Sequence, residues 1–147
     1  MIRFTILGEP KGKGRHRTTK QGIVFTPKET VAYENLVVAS YKGQVGQARF
    51  KDDSQLSINI KAYFKIPKSA SKKKRAEMLD SNVRPTKKPD FDNIGKIIAD
   101  SLNGIAYRDD SQLVSGTVEK YYSENPRVEV EIYEVGGTDC GNFGFIK

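Results

Sequence analysis

Apolar residues recur along this chain with two periods, one suited to strands and one to helices. "IRFTILG", Ile2 to Gly8, alternates apolar and polar positions and predicts a strand. The cleanest alternation lies in "QLSINIKAYFKIP", Gln55 to Pro67, where Leu56, Ile58, Ile60, Ala62, Phe64 and Ile66 share one face. "QLVSGTVEKYYSE" and "RVEVEIYEV" predict two further strands joined by a turn around Asn125-Pro126. "EPKGKGRHRTTKQGIVFTP" reads as a glycine-containing basic loop leading into a hairpin, with Gln21-Gly22 at the turn and "IVFT" returning.

Helical spacing appears in three places. A cap-like Thr26 and Pro27 at the first helical position open a helix carrying Val31, Leu36, Val37 and Val38, which Gly43 is expected to end. Ser69 or Ser71 caps a short basic helix through "KKKRAEMLDSN". Pro85 and Pro89 break that pattern and hold "VRPTKKPD" extended. A last helix fits "FDNIGKIIADSLNG", with Gly104 as its stop. There is no internal repeat. Mixed strands and helices, with adjacent strands at the end, predict an α+β fold with a mixed β-sheet packed by helices. One domain is expected over residues 1–135, followed by a Gly-rich tail, 136–147, whose weak periodicity predicts partial disorder.

Composition narrows the class. The chain has 147 residues, 37% hydrophobic and 29% charged, which fits one globular domain with its own core. No apolar run approaches the roughly 20 residues of a membrane span, and the N-terminus lacks the apolar core of a signal peptide. Cytoplasmic residence is therefore expected. Cys140 is the single cysteine, which excludes a disulfide framework and a cysteine-based zinc site. Net charge is +7, but it is unevenly spread: residues 1–88 hold 20 Lys/Arg against 7 Asp/Glu, and residues 89–147 hold 5 against 11. A polyanion-facing region joined to an acidic site is the pattern this suggests, with nucleic acid the leading partner. A basic surface that only solubilises the chain is the alternative.

The acidic half raises its own question in "KKPDFDNIGK", Lys87 to Lys96. Asp90 and Asp92 lie at i and i+2 on a segment read as extended, so their side chains can converge. Asp92, Lys96 and Asp100 follow at helical spacing on one polar face, while Ile94, Ile97, Ile98 and Leu102 can cover the core. Asp109-Asp110 come just past the helix, where a short return could bring them toward its N-terminal end. Each feature has an ordinary reading: Asp92 as an N-cap, Lys96 in an i,i+4 ion pair, and Asp109-Asp110 as turn residues. Convergence favours chemistry instead. Two carboxylates about 4 Å apart repel by roughly 4 kcal/mol at an effective dielectric of 20, so cations or protons must intervene. Oxygen ligands without His or Cys suit Mg²⁺ or Mn²⁺.

"KPDFDNIGKIIADSLNGIAYRDDSQLVSGTVEKYY" resembles the RusA family of Holliday-junction resolvases of bacteria and prophages. The family pattern is Asp-x-Asp-Asn, a Lys four residues after the second Asp, an Asp after a further turn, and a downstream Asp-Asp. Asp90, Asp92, Asn93, Lys96, Asp100, Asp109 and Asp110 follow it in order. "GEPKGKGRHR" and "FTPKETVAYE" look like the family's opening loop and first helix. The resemblance runs to about Val135 and implies a single RusA-like, metal-dependent, homodimeric endonuclease domain that nicks two strands symmetrically at a four-way junction. It assigns Asp90, Asp92 and Asp110 as metal-binding catalytic carboxylates, Asp109 as a further ligand or support, and Lys96 as the catalytic lysine. Mg²⁺ is the implied cofactor, with Mn²⁺ as a substitute. No small-molecule cofactor and no membrane partner are expected.

Lys11, Lys13, Arg15 and Arg17 on the basic loop, with Lys87 and Lys88 beside the aspartates, are the expected DNA-backbone contacts; such contacts confer affinity and salt dependence rather than sequence preference. Lys72, Lys73, Lys74 and Arg75 are either a second contact or a solvated helix face. His16, the one histidine, is read as a phosphate contact rather than a general base. The rival readings are a non-catalytic branched-DNA-binding protein, a nuclease for flaps or replication forks, and a basic domain whose aspartates only cap and turn.

Overall fold

A computed structural model describes residues 1–136. The fold is α+β: a four-stranded mixed sheet with helices packed on one face. In chain order come β1 (Ile2–Leu7), the small hairpin β2 (Arg17–Thr18) and β3 (Val24–Phe25), α1 (Lys28–Gln44), β4 (Leu56–Lys65), α2 (Lys72–Leu79), α3 (Phe91–Ser101), a 3₁₀ turn (Asp110–Gln112), β5 (Leu113–Ser123) and β6 (Arg127–Glu134). The tail expected to be disordered, with Cys140, lies almost wholly outside the described residues. No helix among the described residues is long and apolar enough to cross a membrane.

β4 is the central strand. It pairs antiparallel with β6 and parallel with β5, giving the order β1-β6-β4-β5. Its alternation works as expected: Leu56, Ile58, Ile60, Ala62 and Phe64 are all buried. Register turns that pattern into rows across the sheet, such as Phe4–Val130–Ile60 and Ile6–Val128–Ala62. α1 covers this face with Tyr33, Val37 and Tyr41, and α3 covers it with Ile94, Ile97, Ile98 and Leu102.

Three local expectations need correction. The strands flanking Asn125-Pro126 do reverse direction there, but β4 lies between them, so β5 and β6 are not hydrogen-bonded neighbours. Turn residues specify a reversal and leave the pairing partner to the sheet. Helix α1 runs past Gly43; its end is set at Gly46, whose φ of +81° suits a residue without Cβ, with Gly46 N donating to Lys42 O at 3.1 Å. At its start Pro27 holds the N-cap position without a side-chain hydrogen bond, so Thr26 does not cap. The buried face of α1 is Thr30, Tyr33, Val37 and Tyr41, leaving Val31 and Leu36 exposed. Ser71, by contrast, caps α2 as expected, accepting from Lys74 N at 3.2 Å.

One close contact ties β5 to β4. A Cβ at Gly116 would lie 2.7 Å from Ile58 O and 2.9 Å from its Cγ2. Backbone cannot yield there without bending the central strand. Gly116→Ala is expected to lower stability by about 1–3 kcal/mol, read as a fall in melting temperature.

Candidate functional site

The site is built on α3, and the helix is oriented by its apolar residues. With Ile94, Ile97, Ile98 and Leu102 fully buried, Asp92, Lys96 and Asp100 are left on the opposite, solvent-facing side, as the i,i+4 spacing predicts. Asp90, not Asp92, occupies the N-cap position, and it makes no side-chain cap hydrogen bond. Asp92 stands exposed in the first turn. Lys96 is exposed and has no ion-pair partner among the described residues. Two of the three ordinary roles open to these residues, capping and helix ion pairing, are therefore not what they do.

The return after α3 ends elsewhere than expected. Tyr107 is wholly buried and its hydroxyl donates to Ala99 O at 2.7 Å. Asp110 N donates to Asn103 Oδ1 at 2.7 Å. These two contacts bring the Asp pair to the C-terminal half of α3 rather than to its N-terminal end. Asp110 comes within hydrogen-bonding distance of Asp100. Burial pushes the Asp110 carboxyl up, and the hydrogen bond and charge of Asp100 push it further. Asp109 does serve as a turn residue: it caps the 3₁₀ segment, with Ser111 N donating to Asp109 Oδ2 at 3.0 Å and Gln112 Oε1 accepting from Asp109 N. Ser111, through its hydroxyl and its amide, holds the Asp109 carboxyl below the ordinary range.

Donor chemistry here suits a hard divalent cation, since every candidate ligand is a carboxylate and Asp110 approaches Asp100 closely, with Lys13 3.5 Å from Asp100 as the one basic group in contact with the pair among the described residues. Mg²⁺ commonly takes only one or two carboxylates and completes its shell with water and substrate phosphate. The pair fits that pattern. No three His, Cys, Asp or Glu side chains among the described residues come together to hold one ion, so Asp90, Asp92 and Asp110 are not gathered into a single set. Asp92 and Asp100 are eight residues apart on one helix, roughly 12 Å along its axis.

Asp90 faces other company. It lines a cleft of about 460 Å³ with Lys11, Lys87, Lys88 and Asn93. Lys120 from β5 lies against this cleft, donating to Lys87 O at 2.6 Å with its ammonium 5.1 Å from the Phe64 ring centre. Burial pulls the Lys120 ammonium down; the Asp90 charge opposes this and Lys87 adds to it, leaving a net lowering. Lys120 was missed in the sequence, although a signal existed. It lies in the inward phase of β5 between Val118 and Tyr122, where an apolar residue is expected. A larger concavity, about 690 Å³, lies on the other face of the sheet among Arg3, Asn59, Lys61 and Glu129, away from these carboxylates.

Lys13 behaves unlike its neighbours on the basic loop. Lys11, Arg15 and Arg17 are exposed, as are Lys87 and Lys88. Lys13 instead turns inward, 2.6 Å from Glu34 of α1 and 3.5 Å from Asp100 of α3, with its side chain 19% exposed. Flanking glycines make this possible: a Cβ on Gly12 would meet Pro89 and Asn93 at 2.9 and 3.0 Å, and one on Gly14 would meet Thr30 Oγ1 at 2.5 Å. Lys13 N also donates to Asn93 O at 3.1 Å. Burial alone would pull the Lys13 ammonium down, but Glu34 and Asp100 outweigh it and raise it. The loop is thus clamped between both helices by one lysine.

A basic cleft beside a stripe of acids and lysine on this α+β frame suits a polyanionic ligand. The chain belongs to the RusA family: the model described as endodeoxyribonuclease RusA matches residues 8–133. Membership implies an endonuclease of the junction-resolving kind. Among individual proteins, the uncharacterized protein YqaN of Bacillus subtilis (strain 168) is 39% identical over 142 residues, covering 91% of this chain and 96% of YqaN.

Three outcomes follow from this geometry. Because Asp110 releases its proton later in the folded chain than in the unfolded one, folding loses stability as pH rises from the ordinary carboxylate range through the raised value. In chelator, Asp110→Asn should therefore melt about 1–3 °C higher than the parent at pH 7, with the gain vanishing by about pH 3. Lys13→Met should cost about 1–3 kcal/mol of stability by leaving Glu34 and Asp100 uncompensated, without changing the salt dependence of DNA affinity. Lys11→Ala should reduce that salt slope by about one and leave stability unchanged.

Proposed function

We propose that this chain is a Mg²⁺-dependent, structure-selective endodeoxyribonuclease that resolves Holliday junctions by paired symmetric nicks during DNA recombination and repair. Family membership supports the activity class. The observation that carries the reading further is the stripe of exposed Asp92, exposed Lys96, and Asp100 with Asp110 drawn against it, next to the cleft of Lys11, Lys87, Lys88 and Asp90.

In this reading Asp110, with Asp100 drawn against it and Asp109 in support, would hold a divalent cation, and Asp90 and Asp92 offer further carboxylates to metal and phosphate from the other end of α3. A divalent cation, Mg²⁺ or Mn²⁺, supplies polarisation of the phosphoryl oxygen and an acidified attacking water. Lys96 offers positive charge where the transition state becomes more anionic. Lys11, Arg15, Arg17, Lys87 and Lys88 hold the backbone of a four-way junction. The products carry 5′-phosphate and 3′-hydroxyl ends.

Symmetric resolution needs two sites related by a two-fold axis, so the active species is a homodimer. An apolar groove of about 550 Å³ between α3 and β5, lined by Phe91, Gly95, Ala99, Gly116 and Val118, supports a second copy docking there. β5 ends the sheet and its outer edge is unpaired among the described residues, with Val114 exposed beside it.

Incubation with a labelled mobile four-way junction, with and without Mg²⁺, tests the reading beside Asp92→Asn. Paired symmetric nicks are expected from the parent only with metal. The variant should lose them by at least about a hundredfold while still binding the junction. Full cleavage by Asp92→Asn would overturn the site assignment, and binding without cleavage in any divalent metal would favour a non-catalytic junction binder.

A further inference from the structure

The β2–β3 hairpin carries Arg17 of the backbone contacts above, but its apolar surface has no part in the site described so far. Its loop is Lys20-Gln21-Gly22: Gly22 N donates to Thr19 O at 2.9 Å, Thr19 N donates to Ile23 O at 2.8 Å, and Gly22 has a φ of +84°. That is a tight three-residue connection, which sets the register of the short ribbon. Arg17 opposes Phe25 and Thr18 opposes Val24. Ile23 and Phe25 therefore share one face of the ribbon with Arg17, while Val24 points to the other.

None of these apolar residues joins the core. Ile23 is 62% exposed, Val24 62% and Phe25 43%. Three adjacent exposed apolar residues at the tip of a hairpin mark a contact surface rather than scatter. The surrounding charge says what kind. From Pro10 to Lys28 there is no Asp or Glu, while Lys11, Lys13, Arg15, Arg17, Lys20 and Lys28 all fall in that span. An apolar tip on a cation-rich segment, with Arg15, Arg17 and Lys20 exposed, complements DNA: the cations meet phosphates, and the tip meets base faces that are unstacked or readily unstacked.

We propose that the β2–β3 hairpin is an apolar wedge that enters DNA at an opened or branched step, with Ile23 and Phe25 against the base faces and Arg17 on the adjoining phosphate. Linear duplex offers the cations its phosphates but keeps its bases stacked. A branch point offers both, so the wedge supplies preference for branched over linear DNA. The inference rests on the DNA-acting reading above and concerns binding, not cleavage.

The test uses Ile23→Ser/Phe25→Ser, which removes apolar surface from an exposed ribbon, beside Arg17→Ala. Affinities for a four-way junction and for a linear duplex of the same arms are measured in EDTA or Ca²⁺ over a range of salt. The double variant should lose about tenfold in junction affinity with duplex affinity and salt slope held. Arg17→Ala should weaken both DNAs and reduce the salt slope by about one. A 2-aminopurine placed at the branch should brighten with the parent and stay dim with the double variant. Equal loss on both DNAs, unchanged discrimination, or a shift from dimer to monomer in light scattering would each overturn the wedge; the last would make the hairpin a contact between copies. Should the parent bind junction and duplex alike, the junction-resolving reading fails, and 2-aminopurine emission on a bulged duplex still decides the wedge.

Discussion

Helix α3 packs into the core beside α1 and β5 through four fully buried side chains, Ile94, Ile97, Ile98 and Leu102, and the rest of the site depends on that packing. Burying one such side chain is worth roughly 1.5–3 kcal/mol, against about 0–1 kcal/mol for an exposed ion pair. The apolar stripe therefore decides how the helix is rotated, and the charges take whichever side is left. Asp92, Lys96 and Asp100 project outward because nothing polar could win against that packing. Both segments that complete the site then attach to α3 itself, Tyr107 through Ala99 O and the 12–14 loop through Asn93 O.

Assembling acids on one helix carries an electrostatic penalty, and the fold answers it unevenly. At the Asp100 end, Lys13 comes in between α1 and α3 and is held there by two carboxylates, which raise its ammonium. At the Asp90 end, Lys120 is partly buried beneath Lys87, and the single carboxylate nearby does not restore it. One end of α3 is thus compensated from within, while the other keeps an excess of positive charge facing its cleft. An anionic ligand is favoured at that second end, and the carboxylates Asp100 and Asp110 stand at the first, with less than one helix length separating them.

Local pattern was readable where one interaction dominates. β4 announced itself because a half-buried strand must alternate, and all five inward residues from Leu56 to Phe64 are buried. The hairpin turn at Gln21-Gly22 and the Ser71 cap were readable because short-range hydrogen bonds set them. The end of α1 was misplaced because two glycines lay three residues apart, and only the carbonyls of the finished helix distinguish Gly46 from Gly43. The loop lysines looked equivalent on paper. What separates Lys13 from Lys11 is the arrival of Glu34 and Asp100 from elements 21 and 87 residues further on.

The sequence by itself determined the residue types and their phase: an acid-lysine-acid stripe opposite an apolar one, a cation-rich first half, and the motif that marks the family. Periodicity and side-chain chemistry are local properties, so the chain carries them before it folds. Tertiary structure alone decided which groups meet. It put β4 between β5 and β6, brought Asp110 to Asp100 instead of Asp92, turned Lys13 inward and set Lys120 beside Asp90. Those outcomes depend on where a buried tyrosine, an asparagine side chain and two crowded glycines allow loops to lie, and packing of that kind leaves no period in the sequence.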